Sequence, residues 1–471
     1  MGIVRQRTAP AVCRATLAAL LALILVSPAA AKQDREGAAA AAVAAPNVLV
    51  IVTDDQRAGT MFVMSKTLQW LRSGGVDFRQ AYVPTPSCCP SRASIFSGRY
   101  VHNHGVRQQR FGANLDHRST LQYQLKENGY FTAMAGKFLN FWNLGTRPPY
   151  FDRYAVTNYG YYDINWGIDG AVRRVSTYST TFIGDKAIEY LSAFEQADDA
   201  RPWFLYLAPL APHKPRTPEP RYAGTTFGNW AGNPAVNEDV SDKPAYLRSR
   251  QPVGQTTIQR IRTQQLRTLK SVDDMVDRVL RTLQAGGELD NTLVIYLSDN
   301  GYLWGEHRVA DTKFVPYTEA VRVPFFARWP GHLAAGTTDN RLVATIDVKP
   351  TVLAAAGIAA DPAYPLDGRS FLSTDGRTRL FMEYFYDEYN SPDIGPLQSW
   401  AATRTPTYQY VENYDQPELN GGTFREYYDL VNDPWMLTNL YADGDPSNDP
   451  PIDPLSSTLA ADRQCAGTAC P

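Results

Sequence analysis

Several short runs of this chain are apolar at nearly every position and then break off into charged or polar residues. Asn47–Thr53 ends in Asp54-Asp55, and residues 291–297 end in Ser298-Asp299-Asn300-Gly301. Residues 131–135 end in Gly136-Lys137, and residues 203–207 exit through Ala208-Pro209-Leu210-Ala211-Pro212-His213. A run without a polar face suits a strand covered on both sides, as in a parallel sheet between helices. Helical patterns lie between these runs, at 67–74, 121–129, 181–195, 256–285 and 347–356. The longest carries an apolar stripe from Ile258 to Leu283 and stops at Gly286-Gly287. Residues 76–83 and 322–329 add two strands. The fold class is therefore α/β, a sandwich with a mostly parallel central sheet flanked by helices.

After about residue 375 the pattern changes. Segments 379–386, 399–403 and 407–412 alternate like antiparallel strands, and 425–441 closes the unit. The expected division is a catalytic domain over 47–375 and a small C-terminal α+β domain with an antiparallel sheet over 376–471. Residues 215–255, rich in Pro, Gly, Asn and Tyr, read as a long excursion on the substrate side.

Residues 1–31 read as a secretory signal peptide. Arg5, Arg7 and Arg14 precede the apolar stretch 15–26, and Ser27-Pro28-Ala29-Ala30-Ala31 offers small residues for cleavage. The apolar stretch is short for a bilayer span of about 20 residues, so no membrane span is expected after cleavage. Residues 32–46 are an Ala-rich linker. The implied location is secreted or extracytoplasmic. Beyond residue 31 the chain has 43 basic against 48 acidic residues, the wrong balance for a nucleic-acid binder. Cys465 and Cys470 are close enough in sequence for a local disulfide in an oxidising compartment.

Chemistry-bearing residues gather where strands end: Asp54, Asp55, Lys137, His213, Asp299 and Asn300. In an open α/β sheet, ligands bind beyond the carboxyl ends of the strands. The stretch Cys88-Cys89-Pro90-Ser91-Arg92 follows the 76–83 strand and opens a helical pattern, with Pro90 suited to the first helical position. Cys88 then sits at a helix N-terminus, where free N–H groups and the dipole favour an anion. Taken singly, each residue has an ordinary reading. Asp-Asp after a strand is usually a turn or cap, Lys137 and His213 can be solvated loop residues, and Arg92 and Lys313 can pair with surface acids. Together, three carboxylates and an amide offer oxygen donors suited to Ca²⁺ or Mg²⁺ rather than Zn²⁺. The cations around them suit a tetrahedral anion.

These motifs, in this order, resemble the type I sulfatase family. The resemblance rests on Cys88-x-Pro90-Ser91-Arg92 with Gly98, Asp54-Asp55, Ala135-Gly136-Lys137, Ala211-Pro212-His213, Ser298-Asp299-Asn300-Gly301, and Gly305-Glu306-His307-Arg308 followed by Lys313 and Pro324. It covers roughly residues 46 to 445, and it implies an alkaline-phosphatase-like sandwich. It also implies that a formylglycine-generating enzyme converts Cys88 to 3-oxoalanine (Cα-formylglycine), whose hydrate attacks a sulfate ester. Asp54, Asp55, Asp299, Asn300 and residue 88 would ligate Ca²⁺. Arg92 would hold the hydrate, Lys137 and Lys313 the sulfate oxygens, and His213 would serve as acid.

Many members continue Gly-Lys-x-His, whereas here Leu139 stands at the histidine's place and Asn140 follows. Gly136-Lys137-Phe138-Leu139-Asn140 together with Gly98-Arg99-Tyr100-x-His102-Asn103-His104 is most similar to the N-acetylglucosamine-6-sulfatase and heparan-type 6-O-sulfatase branch. His102, His104 and His307 are therefore candidates for substrate contact or for the missing proton acceptor. The implied activity is hydrolysis of a sulfate ester on a sulfated carbohydrate such as 6-O-sulfated N-acetylglucosamine. Competing readings are an arylsulfatase of broad specificity acting on aryl sulfates, a phosphodiester or phosphonate monoester hydrolase, and a catalytically dead glycan-binding protein.

Overall fold

The computed structural model describes residues 45–390, 398–415, 419 and 421–471. The expected signal peptide and all of the linker before residue 45 lie outside them. Ten strands build the central sheet: β1 (Asn47–Thr53), β2 (Val76–Tyr82), β3 (Phe131–Lys137), β4 (Arg153–Thr157), β5 (Ile164–Ile168), β6 (Ala171–Val175), β7 (Trp203–Ala208), β8 (Thr292–Ser298), β11 (Phe325–Arg328) and β12 (Thr337–Ala344). A small hairpin, β9 (Leu303–Trp304) with β10 (Ala310–Thr312), follows β8. The sheet order is β12-β2-β11-β8-β1-β7-β3-β4-β5-β6. The centre, β8-β1-β7-β3-β4, is parallel throughout.

Alternation along β1 explains the two cores. Val48, Val50 and Val52 point into one core and Leu49 and Ile51 into the other, all at most 1% exposed. Each such burial is worth about 1.5–3 kcal/mol relative to exposure. Helices Cys88–Ser97, Leu121–Glu127 and Val348–Ala355 cover the first face. Helices Ser65–Leu71, Ser179–Asp198 and Gln255–Gly286 cover the second.

Four strands, β13 (Leu380–Tyr384), β14 (Ser399–Arg404), β15 (Tyr408–Tyr414) and β16 (Phe424–Asp429), form the separate antiparallel sheet. A third core joins it to the main body, running from Tyr82, Tyr100 and Val321 to Trp400, Tyr410 and Leu459. The described residues from 45 onward accordingly form one compact unit. Cys465 and Cys470 are disulfide-bonded. The disulfide loop is held by His102 Nε2 and Asn103 Nδ2 on the Cys465 carbonyl, at 2.9 and 2.8 Å, and by Gly467 N donating to Asp367 at 2.7 Å.

Three local expectations change. Helix Cys88–Ser97 begins at Cys88, so Pro90 is its third residue. Proline is tolerated there because first-turn N–H groups have no intrahelical partner. Strand β11 runs antiparallel between β2 and β8. The excursion 215–255, expected on the substrate side, supplies none of the residues that line the strand-end cavity and packs on the β9–β10 hairpin, with Trp230 on Trp304 and Val236 bridging to Glu306.

Candidate active site

The site grows from the carboxyl ends of β1, β3, β7 and β8. Register fixes it: Asp299 N donates to the Thr53 carbonyl at 3.0 Å, and Asp54 bridges to Pro212 beyond β7. Asp55 adopts a left-handed backbone, φ 69°, which turns its carboxylate back toward the sheet end. Aspartate tolerates that region better than most residues, and such conformations concentrate at functional sites. Gly136 permits the approach of β3 to β7. It has φ 115°, and a Cβ there would stand 2.1 Å from the Ala208 carbonyl oxygen. Lys137 is thereby delivered to Asp54.

Three carboxylates meet three cations, all buried. Lys137 Nζ lies 2.5 Å from Asp54 Oδ2. Arg92 Nε donates to Asp299 Oδ2 at 2.8 Å, and its Nη1 donates to the Lys137 carbonyl at 2.9 Å. Lys313 Nζ pairs with Asp55 Oδ1 and donates to Cys88 Sγ at 2.7 Å. Cys88 Sγ is 3.4 Å from Asp54 Oδ1. Burial alone would raise the Asp54 pKa, but Lys137, His213, Arg92 and Lys313 overcome it and hold this carboxyl well below the usual range. Asp299 is instead pushed up to about 6, by burial and then by Asp54, against the pull of Arg92. Burial pushes the Cys88 thiol up to about 12, reinforced by Asp54. As a thiol, Cys88 is a protonated and poor nucleophile at neutral pH.

His213 donates through Nδ1 to the Lys214 carbonyl at 2.6 Å, which leaves Nε2 facing the site, 3.7 Å from Asp55 Oδ2. Burial lowers its pKa, against the opposing pull of Asp54 and Asp55.

Asp54, Asp55, Cys88 and His213 bring one ligand atom each within 4.8 Å of one another. Asn300 borders this set through Asp55. Its Nδ2 donates to Asp55 Oδ1 at 2.7 Å and to the Gly301 carbonyl at 2.9 Å, so the amide orientation is fixed. Its Oδ1 is then left buried without a hydrogen-bond partner. Two carboxylates and an orphaned amide oxygen fit a hard divalent cation. Asp299 stands one step back, with Oδ2 on Arg92 and Oδ1 accepting from Asp55 N at 3.2 Å. With the carboxylates and cations balanced at three each, a divalent cation would leave the net charge that a sulfate ester and an ionised oxygen require.

The cavity above these groups measures about 440 Å³. Asp55, Cys88, Lys137, His213 and Lys313 line its floor, and Asn140, Phe141, Asn158, Tyr159, Tyr302, Asp311 and Tyr389 contribute to its walls. Asn140, which follows the site of the missing histidine, donates to Gln109 Oε1 at 2.5 Å. Gln109 Oε1 also accepts from Cys89 N at 3.1 Å. The sequence offered no sign of Gln109. Tyr302 was detectable only as the residue after Ser-Asp-Asn-Gly. Arg216 backs the wall through Tyr302 Oη at 2.7 Å and through Asp311.

The three histidines expected to meet substrate do not line this cavity. His102 has Nδ1 on Glu383 at 2.8 Å and Nε2 on the Cys465 carbonyl, so both nitrogens tie the helix Val101–His104 to β13 and the C-terminal segment. His104 accepts from Val106 N through Nδ1 and meets Ser94 Oγ through Nε2, and burial lowers its pKa to about 3. His307 is 0% exposed, pairs with Glu238, and stacks on Tyr317 with ring centroids 3.9 Å apart. Leu139 is buried in the first core.

Comparison with known proteins agrees with this geometry. The sulfatase family profile matches residues 46–358, and the profile for the C-terminal part of N-sulphoglucosamine sulphohydrolase matches residues 305–463. An extracellular sulfatase SULF-1 homolog of Drosophila melanogaster is 34% identical over 346 residues, covering 69% of this chain and 31% of the fly protein. The chain thus spans about a third of that relative's length. N-acetylglucosamine-6-sulfatase of Capra hircus is 30% identical over 480 residues, covering 90% of this chain and 84% of the goat protein. A solved structure in complex with its substrate, D-glucosamine-2-N,6-O-disulfate, superposes with a TM-score of 0.76 at 23% identity, covering 88% of this chain and 97% of the other. The strand-end cluster, the fold and the aligned relatives lead to one assignment: this chain belongs to the sulfatase family of sulfuric ester hydrolases.

Proposed function

We propose that the protein hydrolyses the sulfate ester of a sulfated sugar, with 6-O-sulfated N-acetylglucosamine the favoured substrate, and that residue 88 acts as formylglycine. The observation that carries this reading is the convergence of Asp54, Lys137, His213 and Lys313 on Cys88 in one cavity. The goat relative, aligned over 90% of the chain, supports the choice of sugar. As a hydrated aldehyde, residue 88 would supply an oxygen nucleophile and a second hydroxyl for later release of sulfate, and Ca²⁺ would lower the attacking hydroxyl's pKa.

The chain's own residues set the remaining terms. Asp54, Asp55 and Asn300 Oδ1 would hold the cation, with Asp299 close behind. Arg92 locks Asp299 and the Lys137 carbonyl, fixing the carboxylate and the strand end in one geometry. Lys137 and Lys313 place two ammonium groups beside residue 88, where they neutralise sulfate oxygens as charge develops. His213 is held through Nδ1 by the Lys214 carbonyl; once Nε2 takes up a proton, the imidazolium delivers that proton to the departing alcohol oxygen and returns to the neutral Nδ1–H form. Burial lowers its pKa, so less of it is imidazolium at a given pH, but that form is the stronger acid. Asn140, steadied by Gln109, is the polar side chain nearest in sequence to the missing histidine and positions the attacking hydroxyl. We assign the protein to an extracytoplasmic compartment, in keeping with the Cys465–Cys470 disulfide.

The test compares turnover of an aryl sulfate, an aryl phosphate and N-acetylglucosamine 6-sulfate by protein produced alongside a formylglycine-generating enzyme. Sulfate release from the sugar ester, exceeding phosphate release, is expected. Faster phosphate or phosphonate ester cleavage would overturn the reading. So would sugar binding without turnover.

A further inference from the structure

The mouth of the cavity carries a feature that sulfate-ester cleavage alone does not use. Phe141 and Tyr389 are 50% and 48% exposed, and their rings meet edge to face with centroids 5.2 Å apart. Both line the cavity, one from the loop after β3 and the other from the segment after β13. The exposed Arg110 guanidinium lies over both faces, 5.6 Å from Phe141 and 5.0 Å from Tyr389. Among the described residues it has these two ring contacts and no carboxylate partner. Its backbone is not free to wander. The preceding residue, Gln109, accepts from Cys89 N and Asn140 Nδ2 through its side chain, and its N–H donates to Asp387 at 2.8 Å.

Cation–π contact at an exposed site contributes only about 0.5–1 kcal/mol, and it leaves the guanidinium's N–H donors without a hydrogen-bond acceptor among the described residues. Those donors match a carboxylate or sulfate in bidentate geometry. The adjoining ring faces offer an apolar surface to a pyranose. Lys137 and Lys313 already serve the floor of the cavity.

We propose that Arg110, held over Phe141 and Tyr389, is a specificity-determining residue that binds a second anionic group on a multiply charged saccharide. The assignment rests on the sulfated-sugar reading above. The second anion sits either on the reacting ring, as an N-sulfate, or on the neighbouring ring, as a uronate carboxylate. Either one, tetrahedral sulfate or planar carboxylate, offers two anionic oxygens to the paired N–H donors of a guanidinium.

The experiment measures kcat/KM for three probes: N-acetylglucosamine 6-sulfate, glucosamine 2-N,6-O-disulfate, and a disaccharide joining 6-sulfated glucosamine to a uronic acid. Wild type, Arg110→Ala and Arg110→Lys are compared. In Arg110→Ala, the preference for one doubly charged probe over the singly charged one falls about tenfold or more, the scale of a charge-assisted hydrogen-bonded pair. Arg110→Lys restores part of it. The probe that loses its advantage identifies the position of the second anion. Unchanged preference ratios for both probes overturn the proposal. The same ratios, taken from calorimetric binding to the Cys88→Ala protein, decide the matter independently of turnover. Lack of desulfation by aldehyde-bearing wild type would count against the sulfatase reading, while the binding ratios would still decide the role of Arg110.

Discussion

His307 gives the fold a pH-dependent brace that can be measured apart from catalysis. The ring is wholly buried between two acids, with Nδ1 on Glu238 Oε1 and Nε2 3.7 Å from Glu319 Oε2. Lys243 lies 3.8 Å from Glu238, and Arg57 pairs with the adjacent Glu306 at 2.8 Å. Burial alone would lower the imidazole's pKa, but the two carboxylates raise it from 6.5 to about 9. A raised pKa stabilises the folded state below the unfolded value, and that stability is lost as pH climbs through the folded value. At about 1.4 kcal/mol per unit, the contribution is about 3 kcal/mol near pH 6.5 and close to nothing near pH 9.5. His307→Gln keeps polar bulk but cannot charge. Urea unfolding of both proteins across this range should show the wild type converging on the variant, from an advantage of about 3 kcal/mol to near zero. Curves that stay parallel would refute the account of His307 as a buried cation.

Further outcomes follow from the same geometry. Gly136→Ala places a Cβ against the Ala208 carbonyl in a φ 115° backbone. It should destabilise the protein by about 3 kcal/mol or more and cut kcat at least tenfold by displacing Lys137, read by denaturation and steady-state kinetics. Cys465→Ser opens the disulfide loop that His102, Asn103 and Asp367 grip, and should cost about 2 kcal/mol by loop entropy in thermal unfolding. Asn300→Ala removes the orphaned Oδ1. Ca²⁺ titration should show weaker binding by tenfold or more, alongside a smaller Ca²⁺-dependent rise in Tm.

Much of this molecule can be read from the chain because its chemistry lies where strands stop. The runs entering Asp54, Lys137, His213 and Asp299 are apolar on both faces, so burial specified the strands and their ends specified the site. Strand β4 escaped notice because it is short, and the edge strands β5 and β6 because they are short and partly exposed, with Arg173 and Arg174 facing solvent. Strand β12 begins with Thr337-Thr338-Asp339-Asn340 and is exposed over its first half, so its pattern resembles a loop. The histidines mislead for a related reason. Local sequence reveals that His102, His104 and His307 sit in polar stretches, but His104 is taken up by nearby Ser94 and Val106, while the partners of His102 and His307 come from other elements: Glu383, the Cys465 carbonyl, Glu238 and Glu319. Long-range pairing of this kind leaves no periodic trace. Gln109 and Arg110 were invisible likewise, since their importance comes from Cys89, Asn140, Phe141 and Tyr389 arriving from other elements.

The central claim is that residue 88 works through oxygen and that its sulfur is only a precursor. Mass spectrometry of the peptide containing residue 88, taken from protein that is turning over a sulfate ester, tests this most directly. The account predicts an aldehyde at residue 88 and an intact thiol at Cys89. An unmodified Cys88 thiol in the active protein would contradict it.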